Sequence, residues 1–257
     1  MVRCGHCGLG RLEPMPTLSA VHAIYSSESY AQSYDEAGQD FVVSESTAKE
    51  QFASRFARLA SYLPAKGRLL DIGASRGVFL KLAESEGWTI FGLEAGLDTI
   101  EYAKSHFGIT IQHGTLEETV LPDGFYDCVH LSHVLEHLHD PLGSIRTIGN
   151  AMRTGGVLTI EVPFEFGDLF DTFREKGLRR PRAQNTVPSS HLYFFTLKSL
   201  CRLLEKAGFE TLHAATPRRN QSLDSSLPMG KLLKRSVYHL EQVLKMGPLI
   251  EVFARKK

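Results

Sequence analysis

The segment from Arg68 to Leu80 constrains the fold of this chain more than any other stretch. It begins with Arg68–Ile72, a mostly apolar run that is typical of a buried strand. Small residues follow at positions 73, 74, 75 and 77, and an apolar segment that predicts a helix comes next. A tight turn of small residues between a strand and a helix lets backbone N–H groups approach a ligand closely. The segment therefore predicts a cofactor-binding turn.

Two acidic residues indicate the chemistry of the ligand. Asp71 lies at the end of the predicted strand, where a carboxylate attracts an ammonium group and disfavours a pyrophosphate. The next apolar strand, residues 89–94, ends in Glu94, which is the usual place in a doubly wound fold for an acid that binds ribose hydroxyls. The pair predicts a ligand that has both a ribose and an ammonium group.

Strand and helix patterns alternate along the chain, which predicts a parallel sheet covered by helices. The predicted helices cover residues 48–62, 78–86, 96–106, 142–152, 197–207 and about 229–245. The predicted strands cover residues 68–72, 89–94, 109–112, 126–131 and 157–162, a sixth after Gly208, and 249–254.

Five stretches carry a resemblance to a known family: LLDIGASRG, GLEAGLDTIEYAKSHFG, YDCVHLSHVLEHLHDP, MRTGGVLTIEVP and HLYFFTLKSLCRLLEKAGFE. Their order and spacing between about residues 65 and 215 resemble the class I S-adenosylmethionine-dependent methyltransferases, in particular the branch that includes ubiquinone-type and glycan-associated enzymes. The resemblance implies an α/β, Rossmann-like, doubly wound sheet of seven mostly parallel strands with an antiparallel last strand. The methyltransferase domain would span residues 44–257, after an N-terminal segment of residues 1–43.

The resemblance also implies that S-adenosyl-L-methionine is the cofactor. Asp71 would bind the ammonium group, Glu94 the ribose, and the residues around Leu116 the adenine. Two positions depart from the family pattern, because Ser75 replaces a common glycine and Thr115 a common aspartate. The implied cofactor-binding residues are Asp71, Gly73, Ala74, Ser75, Gly77, Phe79, Glu94, Ala95, Thr115, Leu116, Leu131 and Ser132.

The turn also fits a second pattern, because residues 73–77 spell G-x-S-x-G, the nucleophile elbow of the α/β-hydrolases with Ser75 as nucleophile. In that fold several strands precede the elbow. Here residues 44–64 have the pattern of one amphipathic helix, and no run of strands precedes them. The serine hydrolase is therefore the weaker interpretation.

A histidine-rich segment follows the fourth predicted strand. His133 and His137 are four positions apart and would share one face of a helix, with Glu136 beside the second. Three interpretations remain open: a histidine is the general base of the reaction, the three side chains bind a divalent ion, or they only pack and cap the turn. His191 is a further candidate base, so the candidate catalytic residues are His133, His137 and His191. No metal requirement is predicted.

Residues 164–196 form an insertion that we expect to act as a lid over the acceptor site. It contains a basic run of Arg174, Lys176, Arg179, Arg180 and Arg182. The run predicts an anionic acceptor, although a solvated surface balanced by nearby acids explains it equally well.

Composition restricts the partners. The formal net charge is zero over 257 residues, so no global field recruits nucleic acid. No apolar run has the length of about 20 residues that a membrane span requires, and no leader pattern is present, so we expect a cytoplasmic protein without integral membrane contact.

Cys4 and Cys7 form one C-x-x-C knuckle, half of a zinc ribbon, and we expect no stable zinc site from this half alone.

These patterns together predict methyl transfer to a small-molecule acceptor, most simply an oxygen of a glycan, lipid-linked or quinone-type precursor. A methyltransferase-like protein that binds the cofactor without catalysis is the alternative. The sequence does not indicate the oligomeric state.

Overall fold

A computed structural model describes residues 1–17, 20–21, 45–166, 191–218, 239–241 and 243–257. The helices are α1 (Glu45–Tyr62), α2 (Val78–Ser85), α3 (Leu97–Phe107), α4 (Pro141–Ala151) and α5 (Leu197–Lys206), with a short 3₁₀ helix at Leu135–His137. The strands are β1 (Val2–Arg3), β2 (Gly10–Arg11), β3 (Arg68–Ile72), β4 (Thr89–Glu94), β5 (Gln112–His113), β6 (Tyr126–Ser132), β7 (Met152–Pro163), β8 (Tyr193–Phe194), β9 (Phe209–Ala215) and β10 (Leu249–Lys256).

A seven-stranded sheet forms the centre of the fold, in the order β5-β4-β3-β6-β7-β10-β9. Strand β10 pairs antiparallel with both of its neighbours, and the pairs formed by β3, β4, β5, β6 and β7 among themselves are parallel. The predicted fold class is therefore confirmed. The chain builds outward from β3 to β5 and then returns to place β6 on the other side of β3. Ligands of doubly wound sheets bind at such a reversal of strand order, beyond the carboxyl ends of the strands.

Strand β5 is shorter and later than the predicted strand at residues 109–112. The N–H of Ile109 donates to the carbonyl of Ala103 at 3.3 Å and closes α3, with Gly108 in the left-handed region at φ 68°. Because this N–H belongs to the end of the helix, sheet pairing starts only at Gln112. The side chains of Ile109 and Ile111 are nevertheless buried in the core, which explains the strand-like apolar pattern.

The side chains of β3 alternate between two apolar cores, one on each face of the sheet. Leu70 and Ile72 pack in the core that also contains side chains of α4 and α5. Leu69 packs in the core that contains side chains of α1, α2 and α3. Asp71 therefore points towards the α1 face, because successive side chains of a strand point to opposite faces.

A buried cluster of charges lies between α1 and the sheet. Glu161 of β7 and Glu251 of β10 are directly opposite in the antiparallel register, an arrangement that is unfavourable for like charges. The fully buried guanidinium of Arg55 lies between them, donating from Nε to Glu251 at 3.0 Å and from Nη2 to Glu161 at 2.9 Å. Its Nη1 lies 2.6 Å from Nε2 of His130 on β6. One helix residue thus contacts three strands of the sheet.

The N-terminal residues form a small antiparallel sheet with β8, in the order β1-β2-β8. The turn between β1 and β2 carries Cys4 and Cys7, and the backbone N–H groups of Cys7 and His6 lower the pKa of the exposed Cys4 thiol. The hydroxyl of Thr196 donates to the Cys7 carbonyl at 3.1 Å. The described part of the N-terminal segment therefore packs against the end of the predicted insertion.

Most of the insertion lies outside the described residues, including the basic run between Arg174 and Arg182.

Within the part of the chain that is described, no helix combines the length and the apolar character needed to cross a membrane.

We expect Arg55→Met to lower the free energy of unfolding by about 3–5 kcal/mol, because it leaves two opposed buried carboxylates without their cation. Urea unfolding followed by circular dichroism measures this loss. Adding Glu161→Gln and Glu251→Gln to Arg55→Met removes the uncompensated charge and should recover part of the stability. A single variant as stable as the wild type would show that the cluster does not contribute.

Candidate cofactor and acceptor site

The turn after β3 adopts the backbone conformation that its small residues allow. Gly73, Ser75 and Gly77 have φ values of 72°, 48° and 75°, all in the left-handed region. A side chain at Gly73 would overlap Val134, and one at Gly77 would approach Cβ of Ala103 to 3.0 Å. Glycine at these positions therefore lets the turn pack against the loop after β6 and against α3. Ser75 holds its left-handed conformation at a cost of about 1–2 kcal/mol, which the family glycine would avoid.

Glu94 joins this turn to the loop after β4. Its carboxylate accepts hydrogen bonds from the backbone N–H of Ser75 at 2.7 Å and of Gly96 at 2.8 Å. The side chain is only partly buried, and each oxygen accepts one bond, so it keeps capacity for further donors. This arrangement fits the two hydroxyls of a ribose.

Asp71 is almost completely buried, with 3% of its surface exposed, and its Oδ1 lies 2.6 Å from Nδ1 of His130. Burial lowers the pKa of His130 and outweighs the opposing effect of the Asp71 charge, so the imidazole is neutral. Neither His130 nor Arg55 is predicted as a site residue by the sequence analysis. Their patterns, a mostly buried strand and an amphipathic helix, do not distinguish them from ordinary positions.

The remaining predicted cofactor residues fall into two groups. The first group is buried: Ala74, Leu116 and Leu131 lie in the apolar cores, and Phe79 stacks on the His130 ring with centroids 3.7 Å apart. The second group is accessible at the carboxyl edge of the sheet and comprises Ala95, Thr115 and Ser132. Of these, Thr115 donates its hydroxyl proton to Glu118 at 3.1 Å, and Ser132 donates to Glu161 at 3.1 Å.

The predicted helical face for His133 and His137 is not formed. His133 has φ 55°, and only a 3₁₀ turn at Leu135–His137 follows it. The backbone N–H of His133 donates to the carbonyl of Glu161 at 2.9 Å, which fixes the loop to β7. Both imidazoles nevertheless flank one oxygen of Glu136, at 3.5 Å from Nδ1 of His133 and 3.9 Å from Nε2 of His137.

Glu136 is fully buried, and neither of its carboxylate oxygens has a hydrogen-bond partner among the described residues. Burial raises the pKa of Glu136, but the contacts with His133 and His137 outweigh it, so the pKa lies below its ordinary value. An ionised, buried carboxylate without hydrogen bonds is costly and needs neighbouring cations or a ligand. Glu136 is therefore the negative charge around which the two imidazoles of this loop are arranged.

His133 is the most accessible of the three candidate histidines, because 48% of its side chain is exposed. Partial burial lowers the pKa of His133, but the contact and charge of Glu136, helped by Glu161, raise it further, so the pKa lies above its ordinary value. This imidazole is at the carboxyl end of β6, next to the strand that carries Asp71.

His191 joins the same region from the end of the insertion. The N–H of Leu192 donates to the Glu136 carbonyl at 2.8 Å, and the rings of His191 and His137 are 4.6 Å apart. Nδ1 of His191 lies 2.9 Å from a carboxylate oxygen of Glu165. Glu136, His137 and His191 each offer one possible ligand atom within 4.8 Å of the others. The structure thus groups His191, rather than His133, with the other two candidate metal ligands.

A glycine-containing turn at the switch point of a mainly parallel sheet, with acids ending two adjacent strands, is the architecture of class I S-adenosylmethionine-dependent methyltransferases. A family model described as a methyltransferase domain matches residues 44–214, which is more than half of the chain. The chain therefore belongs to this family, and S-adenosyl-L-methionine is its cofactor.

Sequence relatives are enzymes named ubiquinone biosynthesis O-methyltransferase, among them those of Vibrio parahaemolyticus and Escherichia coli. Each is 32% identical to this chain over 95 residues, which cover 35% of this chain and 40% of the relative. The match thus spans less than half the length of these relatives.

Solved structures share the fold. A SAM-dependent methyltransferase from Archaeoglobus fulgidus has a TM-score of 0.60 and 24% identity, covering 87% of this chain and 99% of its own. A methyltransferase from Mesorhizobium loti has a TM-score of 0.53 and 19% identity, covering 78% of this chain and 97% of its own.

The family assignment excludes the serine hydrolase interpretation. In the described residues no histidine is hydrogen-bonded to Ser75, and the contribution of Ser75 is its backbone N–H to Glu94.

We expect Glu94→Ala to weaken binding of S-adenosylmethionine by about 1–3 kcal/mol, because the ribose hydroxyls lose their acceptor. Isothermal titration calorimetry measures the affinity. Ser75→Ala should bind normally, since the bond to Glu94 comes from the backbone, and the exposed Glu101→Ala of α3 is the surface control. Unchanged affinity in Glu94→Ala would remove the ribose assignment.

Proposed function

We propose that this protein transfers the methyl group of S-adenosylmethionine to an oxygen of a small acceptor, with His133 as the general base. The acceptor oxygen attacks the methyl carbon, the carbon–sulfur bond breaks, and the sulfur keeps the electron pair as S-adenosylhomocysteine leaves. The acceptor proton passes to His133. The cofactor carries a good leaving group, so the protein contributes mainly alignment and a base.

The position of His133 is the observation that supports this proposal. Strands β6 and β3 are paired up to Leu131 and Ile72, so the loop that begins at Ser132 lies beside the cofactor turn. The packing of Val134 against Gly73 brings the two loops into contact. An accessible imidazole at this point is suited to deprotonate an acceptor that lies over the cofactor.

Glu136 gives His133 its orientation and charge balance. The buried carboxylate faces Nδ1 of His133 at 3.5 Å, so Nε2, which lies 3.9 Å from a carboxylate oxygen of Glu161, is the nitrogen that would take a proton from the acceptor. This is the relation between a base and the acid that orients it in many hydrolytic and transfer enzymes. The imidazolium formed in the reaction would be stabilised by the same carboxylate.

His133→Ala is expected to lower kcat by about 10²–10⁴, the usual contribution of a general base, with cofactor affinity intact. His137→Ala and His191→Ala are the matched controls within the same region. A loss of kcat in either control with normal activity in His133→Ala would move the base to that residue. Thermal unfolding separates packing effects from catalytic ones.

The pH profile tests the pair formed by His133 and Glu136. A base must be neutral, so kcat/KM should rise with pH through a pKa above the ordinary histidine value of about 6.5. Glu136→Gln removes the charge that raises the pKa of His133, and the rise should therefore move to lower pH. An unchanged profile would show that Glu136 does not act on the base.

A divalent cation is the second candidate at this site, because Glu136 is a buried carboxylate whose oxygens accept no hydrogen bond from the described residues. Glu136, His137 and His191 would hold the ion, a donor set of one carboxylate and two imidazoles that suits a transition metal. In that case the ion would bind the acceptor oxygen and favour its ionised form, and His133 would not be required as a base.

Chelation decides between the base and the cation. If His133 is the base, activity should persist after treatment with a chelator and dialysis. Activity that disappears and returns with Zn²⁺, Mn²⁺ or Mg²⁺ would overturn the base assignment. In that outcome His191→Ala should abolish recovery at the same cation concentration, whereas His106→Ala at an exposed position of α3 should not.

The acceptor class is proposed from two sources. The relatives that match part of this chain are O-methyltransferases of ubiquinone biosynthesis, which supports an oxygen acceptor of quinone-precursor type. The basic run of the insertion supports a negative charge on the acceptor. Turnover assays with catechol-type, glycan and lipid-linked acceptors test these classes, and absence of turnover with bound cofactor would favour the non-catalytic alternative.

If the basic run binds an anionic acceptor, Arg179→Ala combined with Arg180→Ala should raise the KM for the acceptor while cofactor affinity stays unchanged. The effect should decrease as salt is added, because screening weakens the attraction. Lys104→Ala on α3 combined with Lys206→Ala on α5 removes two exposed charges outside the insertion and provides a charge-matched control. Identical kinetics in the double variant would assign the run to the solvated surface.

A further inference from the structure

A line of hydrogen bonds connects α1 to the acid of the cofactor turn. Arg55 Nη1 lies 2.6 Å from His130 Nε2, and His130 Nδ1 lies 2.6 Å from Asp71 Oδ1. Arginine has only donors, so Nε2 of His130 must accept. The proton of the neutral imidazole is therefore on Nδ1, and His130 donates it to Asp71. The guanidinium thus fixes the tautomer of the histidine.

We propose that His130 is a positioning residue for cofactor binding, which orients the Asp71 carboxylate towards the ammonium group of S-adenosylmethionine. The inference rests on the proposed assignment of Asp71 to that group. His130 would not touch the cofactor, because it is buried between Phe79 and Arg55 and acts through Asp71.

A neutral histidine is suited to this task for an electrostatic reason. A buried carboxylate needs a hydrogen-bond donor, and an arginine or lysine in this place would also cancel its charge. A neutral imidazole supplies the donor and leaves the negative charge available for the ammonium group. The low pKa that burial gives His130 is consistent with this state.

The surroundings hold the imidazole in one orientation. The Phe79 ring stacks on it at a centroid distance of 3.7 Å and an interplanar angle of 20°. Arg55 is itself fixed by its bonds to Glu161 and Glu251. The orientation of Asp71 therefore depends on residues of α1, α2, β7 and β10, none of which belongs to the cofactor turn.

The test compares two ligands that differ in the group Asp71 is proposed to bind. S-adenosylhomocysteine carries the amino-acid group, and 5′-methylthioadenosine lacks it. His130→Leu should weaken S-adenosylhomocysteine about tenfold or more, because a hydrogen bond to a charged group is lost, and should leave 5′-methylthioadenosine unchanged. A merely structural role would weaken both ligands equally. Calorimetry measures both affinities.

Conservative variants supply the rescue. The side-chain amide of His130→Asn can donate from the place of Nδ1 and should restore the ratio of the two affinities. His130→Gln places its amide further out, towards Arg55, and should not restore it. Thr159→Val replaces the neighbour of His130 on β7 with an isosteric side chain and serves as the control for burial.

The outcomes separate this inference from the assignment on which it rests. Asp71→Asn should reduce the affinity for S-adenosylhomocysteine relative to the affinity for 5′-methylthioadenosine. If this ratio does not fall, the assignment of Asp71 to the ammonium group is wrong. If Asp71→Asn reduces the ratio but His130→Leu leaves it unchanged, the positioning role alone is overturned. If His130→Leu does not fold, equal ratios in His130→Asn and His130→Gln overturn it instead.

Discussion

The guanidinium of Arg55 is the interaction on which the interior of this protein depends. The antiparallel pairing of β7 and β10 brings two buried glutamates face to face, and the guanidinium between them offsets their repulsion. The cation comes from α1, so the same contacts determine where the helix lies on the sheet. A single residue thereby links the packing of a helix to the strand order beneath it.

This link extends to the carboxyl edge of the sheet, where ligands of doubly wound sheets bind. Glu161 contacts Arg55 with one oxygen and Ser132 with the other, at the start of the loop that carries His133. On the opposite side, Arg55 reaches Asp71 through His130. The proposed cofactor acid and the proposed base therefore share one buried polar network, which lies on the α1 side of the sheet beside the apolar core of α1, α2 and α3. Such a network can hold the proposed cofactor acid and the proposed base in a fixed relation, although Arg55 and His130 themselves contact neither substrate.

The sequence predicts the local parts of this structure and misses the non-local ones. Strands 68–72 and 89–94 and the turn between β3 and α2 are predicted correctly, because periodicity and small residues act over a few positions. The role of Arg55 is not predictable in this way, since its partners lie on strands distant in sequence. The helix on which His133 and His137 would share a face is not formed, because His133 takes a left-handed backbone conformation and only a 3₁₀ turn follows it. Strand β5 begins later than predicted for a similar local reason, because the N–H of Ile109 is hydrogen-bonded to the end of α3.

The small sheet that joins the N-terminal residues to β8 has a kinetic consequence. The bond between Thr196 and Cys7 connects residues 189 positions apart, and the pairing of Arg11 with Tyr193 spans a similar distance. Contacts of such separation carry a large loop-closure entropy and form late in folding. The contact between Arg55 and Glu251 spans 196 positions, so the network behind the proposed cofactor acid closes over an equally long loop. We therefore expect both sides of the proposed site to be completed only after β10 has been added to the sheet.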